Sequence, residues 1–390
     1  MKPVRRIALL MSLDLSFCRD VLAGIQAFAT QKGHWIFHHA PPDPAVLRPL
    51  RQWNPHGIIA HVMLPEFARR AVRLGKPLVD TAYTLSNLNV PTVDVDHFAV
   101  GRLAAEHFLQ RGFVHFGFFG SGRAPYSRER EIGFRQRLVE ASHVVSTCHA
   151  EYFPRLPLGA SWTKMDQRVR RWLEQLPKPV AIFTINDVPA HDLADMCHRL
   201  GLRVPDEVAI LGVDNDEAEC RLASPPLSSI AVPSQQIGYE AARLLDGMLL
   251  GRKAQPSSVF LPPIRVVTRQ STDTLATSDP IVREALGYIR QHATEDISVA
   301  RVVTEIGAGR RELERHFRRV LGHSVLYEIR RVRVEHAKEL LTATDLAMPM
   351  IARRCGFSTP QRLTVVFHQF TGKVPTAFRS LSEVREQPRE

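Results

Sequence analysis

Between residues 6 and 268 the chain alternates short apolar runs with longer segments in which apolar positions recur every three to four residues. The runs IALLM (7–11), GIIAHVM (57–63), PLVDTAY (77–83), TVDV (92–95), VHFGFFG (114–120), VAIFTI (180–185) and VAILGV (208–213) are continuous or nearly so. Strands buried on both faces read this way. The segments 17–31, 97–111, 128–142, 188–200 and 235–250 are amphipathic at helical spacing. Strand then helix, repeated, predicts an α/β fold whose parallel sheets carry helices on both faces. Ligands of such sheets bind at the carboxyl ends of the strands.

The pattern changes after STDTLATSDP (271–280), which is rich in Ser, Thr and Asp and has no apolar periodicity. We place a sensor domain at 1–270, a linker at 271–280, a helical domain at 281–380 and a tail at 381–390. In the helical domain Val299, Val302, Val303 and Ile306 form one stripe, Gly307 to Gly309 break it, and Leu313, Phe317 and Val320 begin another. A long helix is expected over 325–341. A short helix at 351–355, a turn at Gly356 and a helix opened by a Ser358-x-x-Gln361 capping box then repeat the arrangement. Pro360 fits the first turn, whose amides have no intrahelical partner. These are two helix-turn-helix units in an all-α domain.

Charge sharpens that reading. The net charge is +11, with 51 Lys and Arg against 40 Asp and Glu. Residues 301–380 hold 15 basic and 7 acidic residues, which leaves 36 against 33 for the rest of the chain. A cationic helical domain implies a polyanion, and double-stranded DNA is the expected partner. Opposite the buried stripes lie Arg311 and Arg315 on one helix, and Gln361, Arg362 and Thr364 with Val365 on the other. Arg, Gln and Thr read base edges in the major groove, and an exposed valine meets a thymine methyl group. A single helix of this kind would equally suit a solvated bundle; two such units argue for DNA.

Polar groups gather where the sensor strands end: Asp96 after TVDV, Asn186 and Asp187 after VAIFTI, Asp214 and Asn215 after VAILGV. Tyr126 and Arg130 stand at the head of the 128–142 helix. Carboxylates and amides bridge neighbouring hydroxyls and an aromatic ring stacks on the apolar face of a sugar, so a small polyol is the expected effector. Each Asp or Asn alone would also serve as a helix cap. A regulator of a different small molecule stays open on the residues alone.

Enzymatic motifs are missing: G-x-G-x-x-G, the P-loop pattern, H-E-x-x-H and G-x-S-x-G do not occur at the required places. An enzyme on an α/β scaffold is the remote alternative. The five cysteines are scattered without a C-x-x-C pair, and the 17 histidines have no ligand spacing, so no disulfide, metal or cofactor is expected. No run of about 18 apolar residues exists, and the opening segment reads as a strand that stops at Asp14. We expect a cytoplasmic protein without membrane partners.

Residues 281–380 resemble the arabinose-regulator (AraC) DNA-binding domain. The matching elements are L-x-R-x-F at Leu313, Arg315 and Phe317, the following Gly322, I-A-x-x-x-G-F ending at Phe357, and F-x-x-x-x-G-x-x-P-x-x-F-R ending at Arg379. That resemblance implies that Arg311, Arg315, Gln361, Arg362 and Thr364 face successive major grooves. Gly309 stands where that family usually has a serine cap, and Arg362-Leu363 where it often has an aromatic pair. Residues 6–268 resemble the lactose-repressor (LacI) and periplasmic sugar-binding family through R-x-x-G-F at Arg130 to Phe134, Asn186-Asp187 and G-x-D-N at Gly212 to Asn215. This implies a two-lobed sensor. Sensor followed by reader, with P-P-x-R-V at Pro262 to Val266, is similar to the xylose operon regulators. The resemblance implies D-xylose as effector and activation, with RNA polymerase as a further partner; we expect a homodimer that presents two DNA readers and, from the missing motifs, no catalysis.

Overall fold

A computed structural model describes residues 4–85, 88–149, 160–252, 258–274, 277, 279–295, 297–344 and 346–379. The expected tail at 381–390, and positions 275, 276 and 278 of the expected linker, lie outside them. Contacts divide the chain into a first unit, Met1–Thr274, and a second, Leu275–Glu390.

The first unit holds β1 (Arg5–Leu10), β2 (Trp35–Ala40), β3 (Gly57–Ala60), β4 (Leu78–Asp80), β5 (Val93–Val95), β6 (Phe116–Gly120), β7 (Val145–His149), β8 (Val180–Thr184), β9 (Val208–Val213), β10 (Ser228–Ala231), β11 (Val259–Leu261) and β12 (Arg265–Val267). The first lobe is a parallel sheet in the order β2-β1-β3-β4. The second follows the order β12-β10-β9-β8-β6-β7, parallel except at β12. Between the two, β5 and β11 pair in parallel. The chain passes from one lobe to the other after β4, after β10 and after β11. Each of the seven apolar runs forms a strand, whereas the edge strands β2 and β7, the serine-led β10 and the short β11 and β12 lie outside those runs.

Within each lobe one helix pair packs backbone to backbone. A Cβ on Gly24 of Ser16–Lys32 would stand 1.8 Å from Gln235 O, and one on Gly238 of Ser234–Leu249 would stand 1.9 Å from Val21 O. In the second lobe, Cβ atoms on Gly101 and Gly133 would each meet a backbone carbonyl oxygen at 2.1 Å. Reciprocal glycines let the backbones touch, and this places the Pro125–Glu140 helix, with Arg130, against His97–Leu109.

Ser271 and Thr272, read from sequence as the start of the linker, are fully buried in the first unit. Ser271 Oγ accepts from Ser228 N at 2.8 Å and donates to Ile210 O at 2.6 Å, while Thr272 Oγ1 donates to Ser228 Oγ at 2.7 Å. These bonds satisfy the polar strand β10, and the hydroxyls that looked like linker composition are the partners of a buried network.

The second unit is helical: Pro280–His292, Val299–Ile306, Arg310–Leu321, Val325–Ala343, Met348–Arg354 and Pro360–Thr371. Two cores share the Val325–Ala343 helix. Val325, Ile329 and Val332 pack with Val302, Leu313 and Phe317, and Val334, Ala337 and Leu341 pack with Ile351, Leu363, Val366 and Phe367. Gly307 ends the first short helix in the left-handed conformation at φ 68°. The last helix is capped by Thr359, whose side chain accepts from Arg362 N, and not by Ser358 as its capping-box spacing suggested. With Pro360 at the first helical position, the cap must be the residue directly before it.

Candidate functional site

The carboxyl ends of the strands of both lobes meet at a cleft in the first unit. The cap and first turn of the Ser16–Lys32 helix, which follows β1, contribute Leu15, Ser16 and Phe17, and the segment after β3 contributes His61 and Met63. From the second lobe come Tyr126, Arg130, Ile185, Asn186, Asp187 and Asp214, with Asp94 and His97 from the crossing segment. In each sheet these loops flank the point where strand order reverses, as expected of a ligand cleft in an open parallel sheet.

Arg130 organises the centre. It is buried, its Nη1 donates to Ile185 O, and its Nε donates to His97 Nδ1 at 3.3 Å. An arginine only donates, so His97 Nδ1 is the acceptor and its Nε2–H must donate to Asp94 Oδ2, 3.2 Å away. The guanidinium carbon also lies 5.3 Å from the centre of the Tyr126 ring, over its face. Burial pushes the Tyr126 hydroxyl up to about 12, so it stays protonated and able to donate. Across the cleft, His61 Nδ1 lies 3.1 Å from Thr81 O, an acceptor, so Nδ1 carries the proton and Nε2 is left as an acceptor. Burial lowers its pKa and keeps it neutral.

Three carboxylates, Asp94, Asp187 and Asp214, surround this single arginine. Asn186 Nδ2 donates to Asp214 Oδ2. Burial raises the Asp214 pKa, with Arg130 and Asn186 opposing it. Asp187 is buried, accepts from Asp216 N at 2.7 Å, and is raised well above the usual carboxylate range by burial and then by Asp214. Beyond the cleft wall, Asp80 accepts from Val62, Ala82 and Tyr83 backbone amides, which ties the ends of β3 and β4 together. The cleft thus offers alternating acceptors and donors, with Phe17 and Tyr126 as apolar faces. That array suits a small polyhydroxylated molecule.

Of the sequence candidates, Tyr126, Arg130, Asn186, Asp187 and Asp214 come together in the cleft. Asp96 and Asn215 do not. Asp96 caps the His97–Leu109 helix, accepting from Ala99 N at 2.8 Å, because a new helix begins there and its first amides need an acceptor. Asn215 Oδ1 accepts from Arg269 at 2.8 Å, and Asn215 is not part of the cleft lining. The carboxylate of the TVDV segment that does line it is Asp94. Asp94, His97, His61 and Phe17 went unrecognised in the sequence; the one usable signal was Asp94, a lone acid inside an apolar strand.

In the second unit Arg311 and Arg315 are exposed on Arg310–Leu321, opposite buried Leu313 and Phe317. Gln361, Arg362 and Val365 are exposed on Pro360–Thr371, opposite buried Leu363, Val366 and Phe367. Thr364 is half-buried and its hydroxyl donates to Pro360 O at 3.0 Å, which leaves its acceptor lone pair and its methyl group. Gly309 is the helix cap, as its position in the sequence indicated.

The sequence matches the family model of a periplasmic binding protein-like domain over residues 105–272 and that of a helix-turn-helix domain over residues 302–380. It is 28% identical over 386 residues to the xylose operon regulatory protein of Escherichia coli strain K12, covering 97% of each chain. A solved structure described as the xylose-binding transcription activator XylR superposes with a TM-score of 0.80 at 26% identity, covering 97% of this chain and 99% of that one. The xylose operon regulatory protein of Haemophilus influenzae is 30% identical over 399 residues, covering 96% of this chain and 98% of the relative. With that identity sustained along both units, sensor and DNA reader alike, the chain belongs to the family of xylose operon regulatory proteins.

Proposed function

We propose that this chain is a D-xylose-responsive transcription activator that works in the cytoplasm as a homodimer and recruits RNA polymerase. The observation that carries the reading is the cleft itself. A buried arginine held by His97 and Ile185 faces Asp94, Asp187 and Asp214, a donor-acceptor array for adjacent hydroxyls. The likeness to xylose regulators over both units supports xylose among the sugars. No cluster of His, Cys, Asp or Glu able to hold a metal ion occurs among the described residues. No described helix is long and apolar enough to cross a membrane.

Mechanistically, sugar bridges the loops after β1 and β3 to those after β8 and β9, and this favours the closed arrangement of the two lobes. The ligand shifts the equilibrium only by as much as it prefers one state. Arg311 and Arg315, then Gln361, Arg362 and Thr364, enter successive major grooves, so a dimer requires two half-sites. The deciding test is calorimetric titration of the full chain with D-xylose, L-arabinose, D-ribose and D-glucose. Selective heat with D-xylose, abolished in Asp214→Asn, is the expected result; selective heat with another of the four would replace xylose, and none with any would overturn the sugar sensor.

A further inference from the structure

The first lobe carries a basic face that effector sensing leaves unused. Between residues 44 and 79 the chain contains Arg48, Arg51, Arg69, Arg70, Arg73 and Lys76, against Glu66 as the one acidic residue. These cations sit on the helices Leu47–Trp53 and Pro65–Val72 and just beyond the second. Leu47 and Leu50 of the first helix, and Phe67, Ala68 and Ala71 of the second, pack into one core with Ala8 and Ile58 of the sheet. Both helices therefore cover the same sheet face. Burying those positions turns Arg48 and Arg51, one helical turn apart, outward together with Arg69, Arg70 and Arg73, and all five are exposed.

The density of like charge beside a single acid sets this face apart. Where carboxylates stand close, arginines of the first unit pair with them: Arg102 with Glu140, Arg137 with Glu106, Arg221 with Glu217. Here Arg70 pairs with Glu66 at 2.7 Å and Lys76 donates to Asn54 Oδ1 at 2.8 Å. Arg48, Arg51, Arg69 and Arg73 have no side-chain partner among the described residues. Four unpaired guanidinium groups on adjoining helices repel one another, and the arrangement is relieved by an external polyanion. Among the described residues from 44 to 79 the exposed large apolar ones are Leu64 and Val72, too few for the uncharged centre of a protein interface.

We propose that this face is a second, sequence-independent DNA contact that binds phosphates of duplex not read by the helix-turn-helix units. The inference rests on the DNA-binding reading above, since the second unit is what brings duplex to this chain at high local concentration. Guanidinium groups bind phosphate oxygens in a forked geometry and carry no base preference there. Each phosphate neutralised releases condensed counterions, which gives the contact a measurable signature in salt.

The test is fluorescence anisotropy of the full chain on a random-sequence duplex of about 60 base pairs, with log K followed against log salt concentration. The variant Arg48→Gln/Arg51→Gln/Arg69→Gln/Arg73→Gln should lower the magnitude of the slope by about 3.6, or about 0.9 for each lost phosphate. The corresponding four-fold Lys variant should restore it, and both should melt like the unmodified chain because the sites are exposed. An unchanged slope in the Gln variant overturns the proposal while the helix-turn-helix reading stands. If transcription activation then falls instead, the face belongs to an acidic protein. Failure of the unmodified chain to bind any duplex overturns both readings.

Discussion

Asp187 and Gly212 are fitted to each other: a Cβ built on Gly212, the penultimate residue of β9, would stand 2.0 Å from Asp187 Oδ1 and 3.2 Å from its Cα. Neither a fully buried strand nor the first turn of the helix that follows β8 yields easily. Gly212→Ala therefore forces the Asp187 carboxylate out of position, with an overpacking cost of about 1–3 kcal/mol. We expect effector affinity to fall by at least about tenfold, the equivalent of about 1.4 kcal/mol, with a lower melting temperature. Calorimetry on the variant decides it: affinity equal to the parent would mean that Asp187 does not hold the effector.

That pair also marks where sequence reading succeeds and where it stops. Asn186, Asp187 and Asp214 were legible because they directly follow apolar runs, and parallel sheets bind ligands at strand ends. Asp94 was not, because it lies inside β5, where alternation alone cannot say which lobe it faces. His61 and Phe17 enter the cleft through the relative placement of β1 and β3, which no local pattern encodes. Strands β2 and β7 went unread because one side of an edge strand is wet, and β10 because Ser228 and Ser229 are buried through hydrogen bonds rather than apolarity. The helical unit was more legible, since helix period and left-handed glycine stops are local signals.

His107 is buried, and its Nε2 lies 2.8 Å from Thr272 Oγ1. Burial, helped by the nearby Arg111 charge, pushes its pKa down to about 3. The unfolded chain takes up a proton near the ordinary histidine value of about 6.5, whereas the folded chain refuses it. Stability is thus fully present above about pH 6.5 and is lost as pH falls towards about 3, at up to about 1.4 kcal/mol per pH unit. His107→Gln, which keeps a hydrogen-bonding group without the charge, should flatten this limb relative to the parent. Parallel acid limbs in urea melts of the two proteins would refute the assignment.

Arg333 joins the two halves of the DNA-reading unit. Its Nε donates to Ala293 O at 2.7 Å and its Nη2 to Glu295 O at 2.9 Å, while its guanidinium carbon lies 5.9 Å from the Phe357 ring centre. Arg333→Met preserves the stem and deletes the charged head, leaving the carbonyl of buried Ala293 short of a donor. A loss of about 3 kcal/mol is expected, lowering the melting temperature of the second unit by roughly 15 °C. Arg333→Lys should recover less than half, because one ammonium cannot reproduce the fork. Hydrogen exchange reports each unit separately; protection lost in the first unit, or in neither, would contradict this role.

Arg362 stands exposed one turn before Val365, and its guanidinium has no partner among the described residues. Such a side chain at the head of a recognition helix is free to make two hydrogen bonds to a guanine edge, a contact worth about 1–3 kcal/mol of discrimination. A phosphate contact would instead weaken all duplexes alike and reduce the salt slope by about 0.9. Arg362→Ala should therefore lower affinity for selected sites by about tenfold or more and leave random duplex nearly unaffected. Selection of bound sequences by the parent and the variant separates the cases: relaxed preference at one or two adjacent base pairs identifies a base reader, and an unchanged preference with uniformly weaker binding assigns Arg362 to the backbone.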